Sequence, residues 1–158
     1  MTEEDKKFMI RAIGLAREGM DTGAGGPFGA VLVKEGRIVA EGWNVVTSSN
    51  DPTAHAEITA IRRACENLNT FELNDCVLYT SCEPCPMCLG AIYWARIKKV
   101  YYALSRNDAA NIGFDDQFIY EELDKKINNR HIPFENIARK EALPVFEQWI
   151  IKENRINY

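Results

Sequence analysis

Residues 76–103 read CVLYTSCEPCPMCLGAIYWARIKKVYYA, and the order of residue types in this stretch decides the architecture. Cys76-Val-Leu-Tyr-Thr80 is short, apolar and rich in β-formers, as a buried strand is. Cys85 to Ala95 reads as a helix, and Lys99-Val-Tyr-Tyr-Ala103 as a second strand. A strand, a helix and a strand in succession make a helical crossover, the unit from which layered α/β folds are built.

Upstream of that crossover, the Ala- and Ile-rich segment from Ala54 to Leu68 has good helix-forming composition and follows a polar loop, Thr47 to Pro52. Before it, GAVLVKEGRIVAEGWN (29–44) reads as two β runs broken at Glu35-Gly36, an antiparallel hairpin. Between Glu3 and Met20, apolar Phe8, Ala12, Leu15 and Ala16 recur at helical spacing, and Gly19 with the glycine-rich loop 23–27 marks the end of that helix. The order α, β, β, α, β, α, β predicts a three-layer α/β/α sandwich. Residues 105–140 carry no clear period. Glu141 to Arg155 is expected as a closing helix with Pro144 in its first turn.

A chain of 158 residues, 46% hydrophobic and 27% charged, can bury one core, so a single domain over 1–158 is expected. A net charge of −4 argues against the broad basic surface that nucleic-acid binding draws on. No run approaches the roughly 20 apolar residues of a membrane span, and MTEEDKKFMIR lacks the pattern of an export signal. The five cysteines are odd in number and three of them fall between 82 and 88, so metal chemistry in a reducing cytoplasm is expected rather than disulfides.

Two motifs carry chemistry: His55-Ala56-Glu57, and, thirty residues after the histidine, Cys85 in Pro84-Cys85-Pro86-Met87-Cys88. Zinc takes imidazole nitrogen and thiolate sulfur, and a catalytic zinc keeps three protein ligands and leaves one position open. His55, Cys85 and Cys88 supply three. Such a metal lowers the pKa of water from 15.7 toward about 7, and Glu57, two residues from a ligand, is placed to move the protons. Each motif alone has an ordinary reading: Cys-x-x-Cys also occurs as a redox pair or half of a structural zinc site, and His-x-Glu on helix surfaces. Their coincidence at two predicted helix starts selects catalytic zinc. The pair matches the H-x-E and P-C-x-x-C signature of zinc nucleobase deaminases.

Cys82 is open to two readings, a fourth ligand that closes a purely structural site or a wall beside the metal. An iron–sulfur run fails, because position 92, where a fourth cysteine would fall, is Ile. Cys65 and Cys76 read as small buried apolar residues.

GGPFGAVLV (25–33), DPTAHAEITAIRRAC (51–65), LYTSCEPCPMCLGAIYWARI (78–97) and GFDDQFIY (113–120) resemble the cytidine deaminase-like superfamily and, within it, the bacterial guanine deaminases. The resemblance covers essentially the whole chain. It implies a mixed central sheet with helices on both sides, one zinc per subunit, and hydrolysis of guanine to xanthine and ammonia by attack at C2. It also implies that Phe28 and Trp94 shape the base pocket and that Asn44 hydrogen-bonds the purine. Asp116 would recognise substrate or assist proton transfer, and Tyr158 would help close the site. The implied assembly is a homodimer that exchanges its carboxy-terminal segment, about 141–158.

From the residues themselves, Phe28 reads equally well as a core strand residue, Asn44 as a turn residue, Trp94 as core, and Asp116 as a helix cap. Transfer-RNA adenosine deaminases share DPTAHAE and the Pro-Cys-x-x-Cys helix, but Lys125, Lys126 and Arg130 here follow directly on Glu121, Glu122 and Asp124, which offset their charge. Cytosine or cytidine deamination and a non-enzymatic zinc module are the remaining alternatives.

Overall fold

The structure is a computed structural model that describes residues 2–158. Its centre is a four-stranded sheet of order β2-β1-β3-β4, built from β1 (Gly29–Lys34), β2 (Arg37–Trp43), β3 (Cys76–Cys82) and β4 (Lys99–Leu104). The pairs β1/β2 and β1/β3 are antiparallel, and β3/β4 is parallel. The sheet is mixed because a tight hairpin must reverse the chain whereas a helical crossover returns it in the same direction. Glu35 and Gly36 both have positive φ, 50° and 72°, the requirement of a two-residue hairpin turn whose twist matches its strands.

Alternation along the strands sorts side chains to two faces. Val31, Val33 and Tyr79 pack with Ala12 and Leu15 of α1 (Glu3–Asp21). Ala30, Leu32, Ala40 and Leu78 pack on the other face with Ala56, Ala60 and Ala64 of α3 (Ala56–Leu68) and with Ile92 of α4 (Pro86–Trp94). The expected three layers are therefore present, α1 below the sheet and α3 with α4 above it. Thr2 and Asp5 form a capping box at the start of α1, and the Tyr79 hydroxyl donates to Asp5 Oδ1 at 2.6 Å, which ties that helix start to β3.

Two glycines set how closely the helices approach. A Cβ on Gly29 would overlap the backbone of Ala12 and Ala16, and one on Gly42 would overlap the backbone of Ala56 and Ala60. Each helix rests directly on a strand at a point where no side chain intervenes.

Gly19 does not terminate the first helix, which continues to Asp21; it is a contact point for Trp43, whose ring lies where a Cβ would project. The polar loop 47–52 holds one helical turn, α2 (Val46–Ser49), and a short helix α5 (Arg106–Ala110), capped by Ser105, follows β4. The chain divides into two units, one ending at Asp116 and the other spanning Gln117–Tyr158. The second unit contains α6 (Gln117–Asp124), a 3-10 turn (Ile127–Asn129) and α7 (Arg139–Ile151). α7 begins two residues earlier than the sequence predicts and ends at Ile151, so Pro144 lies inside it rather than in its first turn. No helix of the described residues is long and apolar enough to cross a membrane.

Gly42→Ala is expected to destabilise the protein by about 1–3 kcal/mol through overpacking against α3. Urea unfolding checks this, and an unchanged midpoint would mean that α3 can retreat at no cost.

Candidate active site

α3 and α4 point their amino-terminal ends at the same place above β3. His55 is the N-cap of α3 and Cys85 the N-cap of α4, both with extended backbone, and Pro86 occupies the first turn of α4 where its missing N–H costs nothing. Cys88 and Glu57 follow within the first turns and are buried, Cys88 fully and Glu57 with 6% of its surface exposed. The position of the ligands at helix starts favours thiolate, since the first N–H groups and the helix dipole present positive charge.

The donor atoms converge. His55 Nδ1 lies 3.5 Å from Cys85 Sγ and 3.6 Å from Cys88 Sγ, and all three atoms fall within 4.8 Å of one another. A tetrahedron with Zn–S near 2.3 Å and Zn–N near 2.0 Å has an N···S edge of about 3.6 Å, so the residues fit zinc in both chemistry and spacing. Among the described residues this is the one cluster of histidine, cysteine and acid side chains with that convergence. Cys82 is not part of it. Its sulfur faces the carbonyl of Ser105 at 3.5 Å and burial raises its thiol to about 11, so it does not supply a fourth ligand to this cluster.

Charge is distributed unequally in the cluster. Contact with Cys88 and then with His55 holds the Cys85 thiol down at about 4, while contact with Cys85 and burial push the Cys88 thiol up. The hydrogen bond with Cys85 raises His55. Burial pushes the Glu57 carboxyl up, with the neighbouring Cys85 adding to the rise. Its two oxygens have separate partners: the Thr80 hydroxyl donates to Oε1 at 3.2 Å and the Cys88 thiol to Oε2 at 3.5 Å.

Beside the cluster, Asn44 is buried and its Oδ1 accepts from both Gly26 N (3.3 Å) and Val46 N (3.1 Å). Two N–H groups aimed at one atom settle which end of the amide is oxygen. The Nδ2 donors have no partner among the described residues. A Cβ on Gly25 would overlap Asn44, so the glycine loop is what lets this amide sit where it does. Phe28 accepts from Asn44 N through its carbonyl and meets Phe114 edge to face, ring centroids 4.9 Å apart. Asp116 is half-buried and raised by burial first, then by the Cys85 charge, which places it within electrostatic reach of the cysteines.

Of the residues read from sequence, the structure thus brings His55, Glu57, Cys85 and Cys88 into contact, with Asn44 and Phe28 joined to each other. It does not gather all of them. Trp94 closes the last turn of α4 with 68% of its surface exposed, and Tyr158 belongs to the second unit, 72% exposed. Sequence reading missed Thr80 and Phe114. Thr80 was legible in principle, because alternation from buried Leu78 puts it on the α3 face of β3.

Residues 2–104 match the cytidine and deoxycytidylate deaminase zinc-binding region. The chain belongs to that family. It is a zinc-dependent hydrolase of the deaminase type, and zinc is its cofactor. The guanine deaminase of Bacillus subtilis (strain 168) is 60% identical over 151 residues, covering 96% of this chain and 97% of that protein. A crystal structure of the Bacillus subtilis guanine deaminase superposes with a TM-score of 0.95 at 57% identity, over 100% of this chain and 99% of the other. A tRNA-specific adenosine deaminase of Haemophilus influenzae is 42% identical over 121 residues, covering 73% of this chain and 69% of that protein.

Replacing one ligand should release the metal. Cys85→Ser is expected to weaken zinc binding by more than the roughly 10- to 100-fold cost of losing an outer-shell partner, measured by chelator competition. Retention of zinc at wild-type affinity would remove Cys85 from the ligand set.

Proposed function

We infer that this chain hydrolyses guanine to xanthine and ammonia. The observation that carries the reading is the match at 60% identity over nearly its whole length to a guanine deaminase, where the tRNA-specific enzyme of Haemophilus influenzae reaches 73% of the chain. The net charge of −4 agrees with a free base rather than a polynucleotide.

His55, Cys85 and Cys88 hold the metal in this reading. When bound there, zinc makes water nucleophilic at neutral pH. Glu57 Oε2 takes the proton of the attacking water and delivers it to the ring nitrogen beside C2. It then carries the second proton to the exocyclic amine, which leaves as ammonia. One carboxyl suffices because each proton accepted is returned before the next is taken, and burial in a dry site keeps those protons from bulk water.

Asn44 reads the base. With Oδ1 committed to two backbone N–H groups, it offers donors only, and these suit the acceptor edge of guanine, O6 with N7, better than adenine, where an amino group stands beside N7. Phe28 supplies an aromatic face for the flat ring, and Asp116 recognises the substrate or assists its protonation.

Trp94 and Tyr158 are strongly exposed in a single chain, as are Leu89, Tyr93 and Leu104 in the first unit and Phe146 and Ile150 in the second. Such apolar surface needs cover. We therefore read the active enzyme as a cytoplasmic homodimer that exchanges residues of about 141–158, with Tyr158 closing the site of the other subunit and Trp94 lining the base pocket. A solution mass twice that of the chain, by light scattering, is expected; a monomer with full activity would overturn this assembly.

The direct test is ammonia release from guanine, adenine, cytosine, cytidine, guanosine and a transfer-RNA anticodon stem-loop. Release from guanine with little from the others is expected, and release from the stem-loop alone would replace the substrate. Glu57→Gln is expected to keep zinc and lose roughly 10²–10⁴-fold in turnover. Unchanged turnover with the metal in place would sink the role of Glu57.

A further inference from the structure

We propose that Thr80 is a positioning residue for Glu57: its hydroxyl pins Oε1 to the central strand, so that Oε2 alone is the oxygen that carries protons. This rests on the deaminase mechanism given above.

Among the described side chains, the Sγ of Cys88, a zinc ligand, lies 3.5 Å from Glu57 Oε2, and the Thr80 hydroxyl donates to Oε1 at 3.2 Å. Oε2 is therefore the oxygen on the metal side. Thr80 is the one hydrogen-bonding side chain holding the carboxylate from outside the cluster. Both residues are buried, with 1% of Thr80 and 6% of Glu57 exposed.

A glutamate side chain turns about three bonds, and its two oxygens are chemically equal until something distinguishes them. A fixed donor to one of them does so. Thr80 suits the task because it cannot move: β3 is an inner strand, and Thr80 pairs with Ala30 of β1 on one side and Tyr102 of β4 on the other. Its branched side chain restricts rotation further. The neighbouring hydroxyl could not substitute, since alternation along β3 turns Ser81 to the opposite face, where its Oγ accepts from the N–H of Gly29 at 3.0 Å. With Thr80 in place, α3 brings Glu57 from above and β3 fixes it from below. The proton then moves along one line, not between two equivalent oxygens.

The test compares zinc-loaded wild type, Thr80→Val and Thr80→Ser by steady-state ammonia release, zinc content and crystal structure. Thr80→Val keeps the shape and removes the hydroxyl. It is expected to lower kcat about 10- to 100-fold, the scale of a misplaced catalytic group, with KM changed less than about twofold, one zinc retained, and the Glu57 carboxylate turned away from its wild-type position. Thr80→Ser, which restores the donor, should recover most of the loss. Val at wild-type kcat, Ser as impaired as Val, or Glu57 unmoved in the Val crystal would each overturn the proposal. If Thr80→Val does not fold, Thr80→Ala set against Thr80→Ser decides the same point. A wild-type chain silent on guanine would end the guanine reading, while the Glu57 conformations in the crystals would still decide the role of Thr80.

Discussion

Everything at this site depends on two helices beginning at one point. His55 caps α3 and Cys85 caps α4, and their donor atoms meet at 3.5 Å because both helices rest on the same face of the sheet. Gly42 sets the height of α3 by letting its backbone touch β2 where any side chain would hold it away. The crossover β3-α4-β4 brings Cys85 and Cys88 over the carboxyl end of β3. A thirty-residue gap in sequence becomes a metal site through that packing, and the helix starts supply positive potential where thiolates must form.

The same packing makes the site costly. Glu57 is a buried carboxyl beside the Cys88 sulfur, and its burial opposes ionisation. A core of Ala, Leu and Ile around α3 compensates with apolar contacts that carry no such penalty. Catalytic sites commonly combine strain of this kind with stability from the surrounding fold. Here the division is spatial. The face of the sheet toward α1 packs on that helix, latched by Asp5 and Tyr79, and the face toward α3 carries the zinc-ligating residues.

The sheet, its hairpin and the helices about both motifs were legible because each has a local cause: alternating apolar residues, a Glu-Gly turn, and motifs that open helices. Other elements were not. Gly19 looks like a helix end, yet the ring of Trp43 fills the space its missing side chain leaves, and only the fold brings those two residues together. α7 lacks a strong internal period, so propensity placed its start two residues late and put Pro144 in the wrong turn. Trp94 shows the limit of composition in another way: an apolar helix suggested a core position, and the structure leaves it exposed.

The three zinc-ligating residues and the strands and helices that carry them, as far as β4, were legible in the residue order, because zinc chemistry restricts residue types and because helix starts and strand turns are written locally. Tertiary structure alone decided which oxygen of Glu57 faces the metal ligands, which end of the Asn44 amide is free, and that Cys82 stands outside the cluster. Those facts depend on contacts between residues far apart in the chain, Thr80 with Glu57 and Gly26 with Asn44. No local pattern encodes an orientation, since a side chain turns until a partner from elsewhere in the fold stops it.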